Sequence, residues 1–463
     1  MANWPRISLT SPTGGVGFAA GTMKAAVNLY GLTELFISDY SGIIWHAAQY
    51  RKPFKGPGPF GRAGYTTVWG PWTSLGTPGP NPNWNGGPVP TTFTVATNAD
   101  GRLEVIAIGV DGNPYHLYQL PVAAGTVSLS QLLSWSAWSA MTAAPAPLGP
   151  GFFVENWWPV AATLGGRIVV CYLGTGDNGA QNLYYDYQVP NASQVGGMGW
   201  ASVKKGLFTI PLPGPANQFF FSISLVPTGG ALSLLALSTL WNIGANGYYV
   251  ASLATAGGAW SAWQPVPATL PASAYPRIFP NAAIPSGVSA SIGYIPGGGA
   301  ALFFSDNSGA LTVLRQVLTQ GGPGRPINEL QWNGVYDPQL PAGSMIGWPF
   351  AVGIAEDRLA EANDPANLHQ AAFFGSADGL KLLMLNFQTP AAVPAPPAAP
   401  AEVGAWPLAY NGSPAAPVTI DDGSGGAFTS LDQVVALTSP SGGPIQVFGV
   451  TDSTMNSYAW TEP

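Results

Sequence analysis

Charge is what this chain has least of. Only 8% of its 463 residues are Asp, Glu, Lys or Arg, against about a quarter in an average soluble protein, so ion pairs cannot be its main source of cohesion. A single cysteine, Cys171, excludes an intrachain disulfide framework and a cysteine-rich metal centre; within the apolar run Ile168-Val-Val-Cys-Tyr172 it reads as a small buried hydrophobe. The three histidines, His46, His116 and His369, form neither a His-x-His nor a His-x-x-x-His pair, so no metal site is expected from local spacing. No apolar run approaches the 18 or so residues of a membrane span. The start, Met1-Ala-Asn-Trp-Pro-Arg-Ile7, lacks the basic-then-apolar form of a secretory signal. The expectation is a protein without a membrane span, cytoplasmic or released by a non-Sec route. With a net charge of −7 and basic residues grouped only at Arg51, Lys52, Lys55 and Arg62, nucleic acid is disfavoured as a partner.

Glycine, proline and aromatics are abundant: 60 Gly, 46 Pro, 17 Trp, 17 Tyr and 20 Phe. Gly and Pro punctuate apolar runs and do not form low-complexity tracts, which argues against disorder. A segment of form Trp-x-x-apolar recurs seven times, at Trp4, Trp69, Trp135, Trp200, Trp260, Trp332 and Trp406, with spacings of 60 to 74 residues. The distance from Trp406 through the C-terminus and on to Trp4 is again one repeat, 61 positions.

Within each interval an apolar run, a Gly/Asp/Asn turn and a second aromatic-rich run follow one another, as in Leu35–Asp39 with Ile44–Gln49, and Leu103–Ile108 with Tyr115–Gln119. Such runs flanking residues that tolerate positive φ read as β-hairpins. A further short run opens each repeat, giving four strands per unit of about 66 residues, the pattern of a propeller blade. The chain is therefore expected to be all-β: a seven-bladed β-propeller of four-stranded antiparallel blades, over 1–463 as one domain. The blades fall at about 23–80, 91–147, 157–212, 217–270, 286–341, 346–412 and 427–463 with 1–12, the ring closed by the N-terminal strand. The segments Lys52–Gly64, Gly76–Gly87, Asp357–Asn367 and Thr389–Ala401 read as loops.

Catalytic signals are sparse. Gly-x-Ser-x-Gly, the phosphate-binding Gly-rich loop, the Asp-box of sialidase propellers and the Trp-Asp dipeptide of another propeller class do not occur. His46 and His116 occupy the same place in successive repeats, so they hold two copies of one role, structural or ligand-binding. The first Trp of each segment recurs throughout, as a packing wedge would. The second position is Trp only at Trp72, Trp138 and Trp263; an aromatic that packing does not demand can serve a ligand, and a flat indole suits the apolar face of a sugar.

The run Gly101-Arg-Leu-Glu-Val-Ile-Ala-Ile-Gly-Val-Asp-Gly-Asn-Pro-Tyr-His-Leu-Tyr-Gln119, followed by Trp135-Ser-Ala-Trp-Ser-Ala140, resembles the repeat of the PLL-type bacterial lectins. Trp45-His-Ala-Ala-Gln49 with Trp69-Gly-Pro-Trp72 matches it too, and Trp260-Ser-Ala-Trp263 in part. The resemblance implies a seven-bladed propeller binding fucose or O-methylated sugars in aromatic-lined pockets between blades, without catalysis, metal or cofactor. The site residues it implies are Trp45, His46, Gln49, Trp69 and Trp72 in the first repeat, Tyr115, His116, Gln119, Trp135 and Trp138 in the second, and Trp260 with Trp263 as a third set. Two alternatives stand beside it: a propeller enzyme whose carboxylates, such as Asp39, Glu104, Asp186 or Asp306, converge in a central channel, and a protein-interaction scaffold. A homo-oligomer is compatible with each.

Overall fold

A computed structural model describes residues 6–9, 17–19, 22–55, 63–79, 91–109, 111–121, 129–141, 159–175, 181–191, 198–202 and 208–211. Beyond these it describes 220–228, 231–238, 248–265, 290–295, 299–305, 311–319, 329–336, 353–356, 367–375, 382–390, 418–421, 433–437, 445–451 and 456–461. The strands form seven antiparallel sheets of four or five strands. The chain divides into two compact units, Leu9–Leu212 and Met1–Ser8 with Pro213–Pro463.

In the first unit, the first sheet runs Lys24–Val27, Thr33–Ser38, Ile44–Lys55 and Ala63–Trp69, with Thr73–Gly76 also on Ile44–Lys55. The second comprises Phe93–Thr97, Leu103–Ile108, Pro114–Tyr118 and Ser139–Ala140, and the third Val160–Leu164, Arg167–Thr175, Gln181–Pro190, Met198–Trp200 and Phe208–Ile210. In the second unit, sheets four to six are simple meanders beginning at Phe220, Ala290 and Gly353. In the seventh sheet, Gln433–Leu437, Gln446–Thr451 and Asn456–Thr461 are joined by the N-terminal strand Arg6–Leu9, which lies beside Asn456–Thr461. The expected hairpins are present, with Leu35 opposite Ala47 and Val105 opposite Leu117.

Thr33–Ser38 and Leu103–Ile108 are buried at every residue, and for the second sheet the cause is that both of its faces are covered. Along Leu103–Ile108, Val105 and Ala107 pack with Phe36 and Ile44 of the first sheet, whereas Ile106 and Ile108 pack with Ile168, Val170 and Tyr172 of the third. Period-2 alternation sends successive side chains to opposite faces, so two covered faces produce a continuous apolar run. The same stacking recurs in the second unit, where Phe373 and Leu382 of the sixth sheet meet Val434, Val447 and Trp460 of the seventh. Cys171 is fully buried, and burial raises its thiol pKa far above the ordinary range.

Two expectations change. Lys52–Gly64 is not wholly a loop: Lys52–Lys55 and Ala63–Gly64 are paired strand, extended by the β-favouring Tyr65, Thr66, Thr67 and Val68. One helical turn, Leu129–Leu132, sits in the second repeat. Gly70, which follows Trp69, makes room for it, since a β-carbon there would lie 2.7 Å from the Leu129 side chain. Trp4, Trp406 and most of the other expected loops lie outside the described residues.

One carboxyl is buried among the apolar groups between the second and third sheets. Asp186 accepts hydrogen bonds from the Tyr187 and Ser202 amides at 2.7 and 3.1 Å, and its other oxygen meets the Ser202 hydroxyl. That hydroxyl also reaches the Met141 carbonyl at 2.7 Å. A hydroxyl has one hydrogen to give, and the carbonyl can only accept it, so Asp186 satisfies both contacts when it carries a proton. Burial pushes its pKa up to about 7, against the opposing pull of its hydrogen bonds and of His116. An acid with a raised folded-state pKa binds its proton more tightly when folded. Stability should therefore fall as pH rises from about 4 to about 7 and then level off. Asp186→Asn, whose amide can donate to Ser202, should flatten that slope and exceed the parent's melting temperature at pH 8; an unchanged pH profile in thermal unfolding would refute the assignment.

Candidate functional site

The histidines and glutamines singled out in the sequence are interior. Glu34 of the first sheet is fully buried, and its carboxylate takes a hydrogen bond from Asn28 Nδ2 at 2.6 Å and pairs with His46 Nε2 at 2.6 Å. From the second sheet, Gln119 Nε2 reaches the two carboxylate oxygens at 2.7 and 2.9 Å. The other end of Gln119 accepts the Leu103 amide of its own sheet at 3.0 Å.

One repeat later the arrangement returns. Glu104 accepts from Asn98 Nδ2 at 3.0 Å and pairs with His116 Nδ1 at 2.6 Å, while Gln188 Nε2 and Trp200 Nε1 of the third sheet donate to it at 2.9 and 3.0 Å. Gln188 also donates to Asn98 Oδ1 at 2.6 Å and accepts the Ile168 amide at 2.9 Å. The histidines face their glutamates through different nitrogens: His46 uses Nε2, and His116 uses Nδ1 with its Nε2 meeting Ser139 Oγ at 2.9 Å. Since Nδ1 gives its hydrogen to Glu104, the Trp200 N–H is directed at the carboxylate and not at the ring nitrogen.

The aromatic candidates share this structural work. Trp135 lies edge-on to Phe36 and His46 of the preceding sheet, with ring centroids 5.7 and 5.2 Å apart. Trp138 donates through Nε1 to the Leu75 carbonyl of the first repeat at 2.8 Å. Trp72 is buried against Phe18, centroids 5.2 Å apart. Trp45 donates to Asp39 at 2.8 Å, and the Tyr115 hydroxyl donates to Asp111 at 2.7 Å; burial and that bond push the phenol up to about 12. Gln49 is buried and accepts the Thr33 amide at 3.1 Å. Trp69 ends its strand opposite Gln49, and Trp260 bridges to Leu253; Trp69, Trp260 and Trp263 are half-buried.

Those of the proposed channel carboxylates that lie among the described residues are taken up in local hydrogen bonds. Asp39 holds a turn by accepting the Ser41 and Ile43 amides at 2.8 and 2.9 Å, Glu104 and Asp186 lie between sheets, and Asp306 is outside the described residues. Among the described residues no group of three or more His, Cys, Asp or Glu is placed to hold a metal ion, and no helix is long and apolar enough to cross a membrane.

An open cleft lies where the ends of the first and second sheets meet. It encloses about 160 Å³, smaller than the 300–1,000 Å³ of pockets for drug-sized ligands, so it suits a single small ring. Leu29 and Tyr30, from the turn between the first two strands of the first sheet, form one wall. Asp100 and Arg102, from the same turn one repeat later, form another. Gln119 to Pro121 and the helical residues Gln131 and Leu132 close the remainder.

Local geometry fixes these walls. Gly101 has φ +82°, and a β-carbon there would sit 2.6 Å from the Leu29 side chain; glycine thus allows both the left-handed turn and the approach of Leu29. Arg102 is held through Nε and Nη2 on one oxygen of Asp100, at 2.7 and 2.6 Å, and through Nη1 on the Gln119 carbonyl at 2.8 Å. Its guanidinium stands 5.8 Å over the Tyr118 ring. The wall is consequently neutral overall while offering both a donor and an acceptor.

Of the residues singled out in the sequence, only Gln119 lines this cleft. Arg102 lay within the Gly101–Gln119 motif without being singled out. Leu29, Tyr30 and Asp100 had only turn chemistry as a signal, the φ-positive Gly31 and Gly101 that follow Tyr30 and Asp100. In the third repeat the equivalent turn carries Gly165 and Gly166, so no aromatic stands in the place of Tyr30.

No protein-family model matches the chain, and no curated protein matches it. Similar solved structures include the intramolecular trans-sialidase from Ruminococcus gnavus, in complex with oseltamivir carboxylate, at TM-score 0.45 and 10% identity over 99% of this chain and 98% of that one. Others are AofleA from Arthrobotrys oligospora, TM-score 0.38 and 12% identity over 96% and 83%, and the six-bladed β-propeller Aleuria aurantia lectin, with a fucose recognition mode, TM-score 0.38 and 12% identity over 82% and 99%. All three scores lie below 0.5.

The clasp gives a testable consequence. Gln119→Ala leaves buried Glu34 short of two hydrogen bonds and should cost about 1–3 kcal/mol. Glu34→Ala, which leaves His46 without its partner, should cost about 3–5 kcal/mol. Denaturant unfolding followed by tryptophan fluorescence checks both.

Proposed function

We propose that this protein binds carbohydrate, without catalysis, through the cleft between its first two sheets. The observation that carries the reading is the pairing of an aromatic and aliphatic wall, Tyr30 with Leu29, against the internally neutralised Asp100–Arg102 pair. A sugar ring has an apolar C–H face and a rim of hydroxyls. The Tyr30 phenol ring suits the face, while Asp100 accepts from hydroxyls and Gln131 and Arg102 engage their oxygens. In this reading the seven sheets are the blades of one propeller over 1–463, closed by the strand Arg6–Leu9, and the sugars are fucosylated or O-methylated. The seven-sheet count and the pairing of N- and C-terminal strands support it. Half-buried Trp69, Trp138 and Trp263 keep accessible edges at which a shallower sugar contact is compatible with their packing.

A glycan array containing fucosylated and O-methylated sugars, with calorimetry on the best ligand, tests this. Tyr30→Ala should weaken binding about tenfold, through loss of an aromatic face together with its buried area, in a protein that thermal unfolding shows to be still folded at the assay temperature. Trp138→Phe should leave cleft binding intact. Absence of binding to any glycan by the folded parent would overturn the proposal.

A further inference from the structure

The strand Ile44–Lys55 is twelve residues long, more than its place in the first sheet requires. Ile44–Ala48 pairs with Glu34–Ser38, whereas Gln49–Lys55 pairs, among the described strands, only with Ala63–Trp69. Beyond the sheet the pair continues as a two-stranded ribbon on which Arg51, Lys52, Pro53, Tyr65, Thr66 and Thr67 are all exposed, Tyr65 by 58%. An isolated two-stranded ribbon is marginally stable on its own.

The root of this ribbon packs against residues that line the cleft. Tyr50 packs in one apolar cluster with Leu132 and Tyr30, both of which line the cleft. Alternate residues of a strand share a face, so Lys52 emerges on the same side as Tyr50, about 7 Å further along at roughly 3.3 Å per residue. Thr66 is its cross-strand partner and lies on that same face. No Asp or Glu occurs between Asp39 and Asp100, and among the described residues neither Arg51 nor Lys52 enters an ion pair. In a chain of net charge −7, the ribbon thus carries, two residues beyond Tyr50, a cation that enters no ion pair among the described residues.

We infer that the ribbon extends the cleft into a second subsite for an anionic group. The ligand class is an acidic glycan: a neutral sugar fills the cleft, and the adjoining residue presents a carboxylate or a sulfate ester to Lys52 and the Thr66 hydroxyl. This rests on the carbohydrate reading above.

The experiment uses the full chain and matched disaccharides of glucose, galactose and mannose in three forms: neutral, with a C6 carboxylate, and with a 6-O-sulfate. Affinities are measured by calorimetry at about 20 mM and about 500 mM salt, because exposed charges are screened beyond about 3 Å near 1 M and 10 Å near 0.1 M. An anionic form should bind about two- to fivefold tighter than its neutral partner at low salt, the scale of an exposed ion pair. That gain should vanish at high salt and in Lys52→Ala, invert in Lys52→Glu, and survive in Lys52→Arg. The carboxylate and sulfate arms identify which anion is read. Tyr30→Ala should weaken neutral and anionic forms alike. If neutral disaccharides bind in a Tyr30-dependent way while charge and Lys52 make no difference, the subsite is refuted and the cleft reading stands. If anionic forms bind through Lys52 but ignore Tyr30→Ala, the coupling of ribbon to cleft is refuted. If no form binds although the glycan array finds a neutral fucosylated or O-methylated ligand, the subsite is refuted and the cleft reading stands; if neither experiment finds a ligand, both proposals fall together.

Discussion

A buried carboxylate cannot be left short of donors, and in this protein adjacent sheets supply them. Glu34 and Glu104 each sit on the second strand of their sheet, paired with a histidine and an asparagine of that sheet and reached by a glutamine of the next. In the interior such a charge is costly unless every lone pair is occupied, so neighbouring sheets are fixed in register and angle by the need to deliver Gln119 or Gln188 to the right place. Hydrophobic packing brings the sheets together without direction, and the clasp adds direction. It also anchors the cleft, because the residue that reaches back to Glu34 through its side chain offers its carbonyl to Arg102.

The scarcity of charge follows from the same architecture. Strands covered on both faces have little surface for Lys or Glu, and the buried carboxyls Glu34, Asp39, Glu104 and Asp186 are each held by hydrogen-bonding partners. In the third sheet the clasp pattern is broken: Val169 stands where Glu34 and Glu104 stand in the earlier sheets, and Tyr185 stands where the histidines do. Asp186, on the face turned toward the second sheet, then brings in a carboxyl whose contacts favour the protonated form. Two solutions to one problem, donation by a neighbour to Glu104 and retention of a proton by Asp186, thus occur between the second and third sheets.

Much of this was legible in the sequence. The repeat length, the hairpins and the return of the N-terminal strand to the last sheet all follow from aromatic spacing and turn residues. His46, Gln49, His116 and Gln119 stood out because they recur in register. Their role did not stand out, because it depends on Glu34 and Asn28, or Glu104 and Asn98, which lie twelve and eighteen positions before each histidine. A recurrent Asn, Glu, His and Gln at those fixed offsets is a detectable signature of the clasp. Lys52–Lys55 read as loop because proline and lysine are poor strand formers, and cross-strand pairing with Ala63–Thr66 overrode that preference.

By itself the sequence determined the all-β class, the hairpins and the turns, since these depend on local periodicity and on residues within one hairpin. Only the tertiary structure decided which polar residues face inward and where an opening remains. Tyr30 and Arg102 come from equivalent turns of successive repeats, 72 positions apart, and meet only because one sheet stacks on the next. Tyr50 joins them through Leu132 on a helical turn found in the second repeat. A repeat pattern records what successive units have in common, whereas the cleft is formed by what differs between two of them.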